Sequence, residues 1–346
     1  MEKAVLEEYV NKNFYNLQVF KCRCILNNEY YVLKEIPKLN LYKTSEIYAV
    51  LNEPIILKKI NKYDFLPKMI SSFQDYDNLY LVTNFFEGDI LHNYKNQIFS
   101  EEKIKFISAC VIQSLIHLRK EKIINRDIRM KNIIMDKNRY LNVIDFLYAI
   151  EYSNIKKNKT NIITNKLEIS PEILNCSSYD YNADYYNLGV VVYYLIFKKY
   201  VNRVKIENNL TEIFIDSKYI KNYTNTCIDF LNKLLITDYK KRIGFNNIEE
   251  LKNHLWFKGF NWKEFKKKKM KSPLIYMKKK PFTFECHKFK ISKFKKNKFI
   301  NLLKKIEYKF LFKNYDFVNK DIINKFLISI NSPKNKKNKM NKNLIK

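Results

Sequence analysis

Residues 125–132 read N-R-D-I-R-M-K-N, an apolar pair follows at 133–134, and L-N-V-I-D-F stands at 141–146. Three polar side chains matter in this span: Asp127, Asn132 and Asp145. Asp127 and Asn132 are five apart on one loop, and Asp145 comes one short hairpin later. Working outward, S-E-E-K at 100–103 marks a helix start, with apolar spacing through Leu118. Residues 70–86 read as a strand pair turning at 75–78. Residues 45–60 read as a helix with apolar Ile47, Val50, Leu51, Ile55 and Leu57, capped by Thr44 or Ser45. Pro54 inside it is expected to bend or break it. Residues 18–36 alternate on both sides of Asn27-Asn28, the pattern of a β-hairpin. A strand-rich first quarter thus precedes a helix-rich remainder, which argues for an α+β chain of two lobes. Beyond about residue 263 the periodicity weakens and Lys clusters appear at 266–269, 278–280 and in the last dozen residues. Residues 263–317 are expected to wrap the surface as a tail, and 334–346 to be disordered.

Of 346 residues, 46% are hydrophobic, enough for a proper core. Lys and Arg number 65 against 35 Asp and Glu, a net charge of +30. Such an excess raises the question of nucleic acid or an anionic membrane acting on the Lys clusters. Lys, Asn, Ile and Tyr are plentiful throughout and only 4 Gly occur, which fits a global composition bias better than a nucleic-acid-binding role. The Cys22-x-Cys24 pair lies in an alternating stretch and reads as two residues on one strand face rather than half a zinc site. The six Cys suggest reduced thiols and an intracellular, cytoplasmic setting, with the nucleus also open. The first residues, M-E-K-A-V-L-E-E-Y, carry acidic residues and no apolar core, so no signal peptide is expected there, and without a run of about 18 apolar residues no membrane span is expected.

Transfer of the γ-phosphoryl of ATP asks three things of a protein. One carboxylate must orient the substrate hydroxyl and take its proton. A second must hold Mg²⁺ over the phosphates, and an amide oxygen must help to hold the metal. Asp127, Asp145 and Asn132 fit those parts. Together the two strings resemble the catalytic loop and metal-binding triplet of eukaryotic protein kinases. The resemblance implies a small β-rich N-lobe over 10–86, a larger helical C-lobe over 87–258, ATP and Mg²⁺ as cofactors, and a protein substrate. On it, Arg129 stands where the family has a Lys that contacts the γ-phosphate. Lys34, ending Y-Y-V-L-K, matches the ATP-binding lysine, and Glu53 matches its partner on the following helix. L-V-T-N-F-F-E-G-D at 81–89 resembles the hinge: Thr83 would guard the pocket behind the adenine, Asn84 lies beside it, and the Phe86 backbone would bond the adenine edge. Val32 would lie above the adenine. Ser170-Pro171-Glu172 resembles Ala-Pro-Glu, with Glu172 paired to Arg242, and Asp184 resembles the buried Asp that anchors the catalytic loop.

Two stretches narrow the resemblance to the AGC group of serine/threonine kinases, in particular its cyclic-nucleotide-dependent branch. H-L-W-F-K-G-F-N-W at 254–262 is similar to the end of that group's C-lobe. F-K-N-Y-D-F at 312–317 is similar to its hydrophobic motif. That implies a C-terminal tail over 259–317, followed by a basic extension over 318–346. Phe312 and Tyr315 would dock on the small lobe and clamp the helix bearing Glu53, with Asp316 as a constitutive negative charge. The pattern also departs from the family. No Gly occurs before Gly88, so the phosphate-covering loop expected near 11–19 matches only at Val19. Leu147 replaces the Gly of Asp-Phe-Gly, and Asn125 replaces the His before Arg-Asp. Val32 replaces a smaller Ala. Thr160 and Thr164 are either phosphorylation sites for an upstream kinase or plain loop residues. Asp89 would keep one acidic contact for a basic substrate, whereas Lys131 stands where basophilic members carry Glu. The expectation is an ATP-dependent serine/threonine kinase; the alternative is a pseudokinase scaffold. A separate regulatory subunit is possible on either.

Overall fold

Alternation along residues 18–36 leads to two paired strands whose alternate side chains face opposite ways. A computed structural model of the chain describes residues 2–5, 17–24, 27–41, 44–154, 168–175, 179–201, 203–205, 211–213, 222–274 and 315–318. The chain divides into two units. One comprises Met1–Pro54, Lys68–Phe85 and Phe282–Lys346; the other comprises Ile55–Pro67 and Phe86–Pro281.

The first unit is built on a six-stranded antiparallel sheet. Its strands are β1 (Glu2–Val5), β2 (Gln18–Arg23), β3 (Tyr30–Pro37), β4 (Met69–Gln74), β5 (Asn78–Asn84) and β12 (Phe317–Val318), in the order β1-β2-β3-β5-β4-β12. Strand β1 was not foreseen in the sequence. The β2–β3 ladder ends at Arg23↔Tyr30, and beyond it the Cys24 N–H donates to the Glu29 carbonyl and the Asn28 N–H to the Cys24 carbonyl, both at 2.9 Å, so the turn is wider than a two-residue Asn-Asn turn. Asn28 nevertheless takes a left-handed φ of 62° there, a conformation Asn tolerates well. Phe20, Cys22, Tyr31, Leu33, Tyr80 and Val82 form one buried cluster, with Cys24 packed against it. The register puts Val19 opposite Lys34 and Val32 opposite Thr83. Period two therefore sets Val19, Val32, Lys34 and Thr83 together on the face away from that cluster.

Helix α1 (Thr44–Ile60) runs on through Pro54, contrary to the expected break. An interior proline costs a helix roughly 3 kcal/mol. Val50, Ile56, Leu57 and Ile60 are each 2% exposed or less. Burying such a side chain contributes about 1.5–3 kcal/mol, so the packing outweighs the missing bond. Ile55, expected among the apolar residues of the helix face, is instead 47% exposed. Strand β12 pairs with β4 through Phe317↔Ser72 and Val318↔Ser71, and Tyr315 just before it is buried.

The second unit is mainly helical. Ser100 caps α2 (Glu101–Lys120) as its sequence requires, accepting from the Lys103 N–H. Strands β6 (Ile123–Ile124), β7 (Ile133–Met135), β8 (Leu141–Val143) and β9 (Ile150–Glu151) pair as β6–β9 and β7–β8. Helices α3 (Pro171–Leu174) and α4 (Asn182–Phe197) follow. The hairpin β10 (Arg203–Lys205) and β11 (Thr211–Ile213) precedes α5 (Asn225–Leu234), α6 (Glu249–Asn253) and α7 (Trp262–Lys266). Helix α4 is apolar almost all round and buried on nearly every side, as such a helix must be. Gly88 donates to the Met135 carbonyl at 3.1 Å; a Cβ there would lie 2.5 Å from that oxygen, so only glycine allows the approach. Of the expected tail, residues 263–274 and 315–318 are described; Phe312, Thr160, Thr164, residues 11–16 and 334–346 lie outside the described residues.

Candidate active site

The polar residues at 125–145 converge. The β7–β8 hairpin returns the chain so that Ile144 N–H donates to the Asn132 carbonyl at 2.8 Å. Asn132 Nδ2 donates to Asp127 Oδ2 at 2.7 Å and to the Asp127 carbonyl at 3.0 Å. Its amide oxygen is left as an acceptor. Asp127 is buried, and burial pushes its carboxyl up to about 8. The Arg129 charge opposes that shift, whereas the nearby charges of Asp145 and Glu168 add to it. Arg129 is itself buried, with Nε 3.2 Å from Asp127 Oδ1 and a terminal nitrogen 4.0 Å from Glu168.

Asn125 joins the two strings. Its Oδ1 accepts from the Asp127 N–H at 3.0 Å, and its Nδ2 donates to the Asp145 carbonyl at 3.1 Å. A side-chain amide carries donor and acceptor at once, which suits a bridge between two loops. From below, Asp184 on α4 accepts from the Asn125 and Arg126 N–H groups, both at 2.7 Å. Burial raises the Asp184 carboxyl to about 6 against the pull of those two bonds. Arg126 is held with φ of 67° while its Nε donates to the Tyr148 carbonyl at 2.6 Å.

Asp145 also takes a left-handed φ, 64°. Leu147 does not, and its N–H donates to Asp145 Oδ1 at 3.2 Å. The glycine that Leu147 replaces is therefore not needed for backbone freedom at 147; the strained conformation falls on Asp145, two residues earlier. Leu147 is buried instead.

In the first unit, Lys34 Nζ donates to both oxygens of Glu53, at 2.8 and 3.0 Å. Val19 is buried, Val32 and Thr83 half-buried, on the same sheet face as Lys34. Asn84 is tied to the chain: its Oδ1 accepts from the Lys68 N–H at 2.6 Å and its own N–H donates to the Lys68 carbonyl at 3.0 Å. Phe86 begins the second unit and is half-buried. Tyr315 lies close enough to Glu53 for that charge to act on its hydroxyl, which burial holds well above the usual range. Ser72 Oγ donates to the Tyr315 carbonyl. Asp316 is exposed, and its charge acts on the buried Lys38.

One expected contact is overturned. Asp89 is buried and accepts from the Tyr94 hydroxyl at 2.5 Å, so it does not present an acidic contact to a substrate. Sequence reading also missed Glu168 and the bridging part of Asn125. No motif marks Glu168; for Asn125 the donor–acceptor capacity of the side chain was the available signal.

The chain belongs to the protein kinase domain family: the family's sequence model matches residues 17–257. Among its relatives, a probable serine/threonine-protein kinase of Dictyostelium discoideum is 28% identical over 283 residues, covering 80% of this chain and 61% of the relative. The RAC serine/threonine-protein kinase of Drosophila melanogaster is 28% identical over 266 residues, 74% of this chain and 43% of the relative. Serine/threonine-protein kinase Sgk1 of Fundulus heteroclitus is 29% identical over 265 residues, 74% and 61%. The RAC and Sgk1 kinases are AGC members, so the likeness to that group holds at under 30% identity. The chain spans between 43% and 61% of the length of these relatives. Among the described residues, no helix is long and apolar enough to cross a membrane.

Proposed function

We propose that this chain is an ATP-dependent serine/threonine protein kinase that transfers the γ-phosphoryl of ATP to a protein hydroxyl. The observation that carries this reading is the Asn132–Asp127 bond at 2.7 Å, with Asp145 within charge reach of the same carboxylate. Asp127 would orient the substrate hydroxyl and take its proton. Burial raises this carboxyl above the ordinary carboxylate range, which makes its ionised form a stronger base. Arg129 would add positive charge near the transferred group, from its place against Asp127.

The residues fit Mg²⁺ and ATP. Magnesium takes one or two carboxylates plus substrate phosphates rather than a cage of protein ligands. Among the described residues no cluster of three or more His, Cys, Asp or Glu forms such a cage. Asp145 and the amide oxygen of Asn132 would be the protein's ligands. When bound, the metal neutralises charge on the phosphates. Lys34, fixed by Glu53, would hold the α- and β-phosphates. Val19, Val32 and Thr83 would pack the base, and the Asn84–Phe86 backbone would meet its edge. Lobes over 10–86 and 87–258, the tail over 259–317, a cytoplasmic setting and a protein substrate belong to the same reading.

A pseudokinase that binds nucleotide without turnover is the second reading. It is favoured by the absence of any Gly before Gly88, since phosphate cradling needs close backbone approach. Incubation of purified protein with ATP-Mg and a mixed peptide library separates the two. Wild type is expected to incorporate label, and Asp127→Asn to lower the rate by about 10²–10⁴-fold, the range of general-base loss. Equal incorporation by both proteins rejects the active reading.

A further inference from the structure

The sheet face that carries Val19, Val32, Lys34 and Thr83 does not end with them. Lys21 stands opposite Val32 in the β2–β3 ladder, and Arg23 opposite Tyr30, so period two puts Lys21 and Tyr30 on that same face. Across β5, Thr83 is opposite Val32 and Asn84 opposite Tyr31, so Phe85, the next residue, continues the register toward Tyr30. The side chains meet there. Lys21 Nζ lies 4.0 Å from the centre of the Tyr30 ring and 4.3 Å from that of Phe85, with the two ring centres 6.2 Å apart. All three residues belong to the first unit. Tyr30 is 48% exposed while Lys21 and Phe85 are half-buried, so the cluster is a rim of the face and not part of a core. A cation over an aromatic ring is attracted by the ring's quadrupole, and one ammonium shared by two rings holds both in place.

Resting on the kinase reading above, we propose that Lys21 is a positioning residue for the nucleotide base: by clasping Phe85 and Tyr30 together it fixes the Asn84–Phe86 backbone that would meet the base edge. The chain is already pinned one residue earlier, where Asn84 bonds Lys68 through its side-chain oxygen and its N–H. Pin and clasp fall on consecutive residues, so the backbone leaving β5 starts in a fixed direction. A backbone held before the ligand arrives loses less freedom on binding, which raises affinity without any new contact. Lys21 acts through Phe85 and touches no part of the nucleotide. The absence of any Gly before Gly88 weakens the grip on the phosphates, which leaves the base edge a larger share of the binding.

The test uses the whole chain and two probes, adenosine and tripolyphosphate with Mg²⁺, titrated by calorimetry. The first needs the base edge and the second does not. Lys21→Met keeps the aliphatic stem and removes the charge, so its adenosine affinity should fall by roughly threefold to tenfold while tripolyphosphate affinity holds. Lys21→Arg keeps a cation over the rings and should restore adenosine binding. Tyr30→Leu leaves the ammonium one ring and should give a smaller loss, again for adenosine alone. Lys240→Met, an exposed lysine in the second unit, should bind both probes as the wild type does. An unchanged adenosine affinity in Lys21→Met, an equal loss for both probes, or a wild type that binds tripolyphosphate but not adenosine overturns the proposal. If the wild type binds neither probe, the kinase reading fails instead. Amide hydrogen exchange at Phe85 and Phe86 in the free protein then decides the clasp without a ligand. Faster exchange in Lys21→Met, reversed in Lys21→Arg, supports it, and equal exchange in all three proteins overturns it.

Discussion

Two carboxylate–cation pairs, one in each unit, share a chemistry and differ in their surroundings. Glu172 and Arg242 meet at 2.6 and 3.0 Å with side chains 3% and 0% exposed. The guanidinium also donates to the carbonyls of Ile236, Thr237 and Asn182, so its fixed fork of donors is used on several sides. Glu53 and Lys34 meet at 2.8 and 3.0 Å, but Lys34 is 14% exposed on a sheet face with half-buried Val32 and Thr83. A lysine is a compact charge with rotatable donors, and on the proposed kinase reading it would share its ammonium there with an incoming phosphate. Solvent access is what separates a pair that a ligand can address from a pair that only fastens the fold.

Breaking both pairs by the same chemistry sharpens that difference. Glu172→Gln leaves a buried guanidinium without its counter-charge and should cost about 3–5 kcal/mol in urea unfolding. Glu53→Gln keeps one acceptor for a lysine that water can reach, so its cost should be smaller, about 1–3 kcal/mol. Its larger effect should fall on nucleotide: the thermal shift with ATP-Mg should shrink in Glu53→Gln. In Glu172→Gln that shift should survive wherever the protein remains folded. Equal stability costs for the two variants would remove the distinction.

Leu147 carries a smaller effect and tests the same contrast between a fastening residue and an addressable one. Read from the family pattern, the missing glycine at 147 is a defect in the site. In the structure Leu147 is buried, its backbone φ is not positive, and its N–H binds Asp145. Leu147→Gly should therefore lose packing and gain backbone entropy in the unfolded chain, a destabilisation of roughly 2–4 kcal/mol. Peptide phosphorylation should not rise. A stable Leu147→Gly variant with faster turnover would mean that the glycine is missed after all.

The sequence made most of the second unit's site legible because its residues are close in the chain. Asp127, Asn132 and Asp145 lie within twenty residues, and a hairpin is enough to bring them together. Lys34 and Glu53 were also readable, since a strand and a helix of ordinary pattern carry them. What stayed hidden depends on where side chains point. Asp89 looks like an outward acid until Tyr94 is seen to hold it inward. Asn125 looks like a loss of His until both ends of its amide find partners. Pro54 looks like a helix break because a local rule is decided by distant packing, which a one-dimensional pattern does not contain.

The smallest expected effect lies at the edge of the first unit's sheet. Lys38 is buried, and its Nζ donates to Gln74 Oε1 at 3.0 Å and to the Asp75 carbonyl at 2.6 Å. Burial lowers its pKa, while the charges of Asp75, Asp316 and Asp77 pull the other way. Asp316 is the member of that set that arrives with the tail segment, and it is exposed. Asp316→Asn removes one of three nearby negative charges and leaves the β12–β4 pairing and the buried Tyr315 in place. A loss of under about 1 kcal/mol follows, since water screens an exposed partner. The melting temperature should fall slightly in 50 mM salt and converge on wild type near 1 M, where the screening length is only about 3 Å. A fall that is large and indifferent to salt would show that Asp316 holds the tail by packing or hydrogen bonding, and that its negative charge is not what the segment contributes.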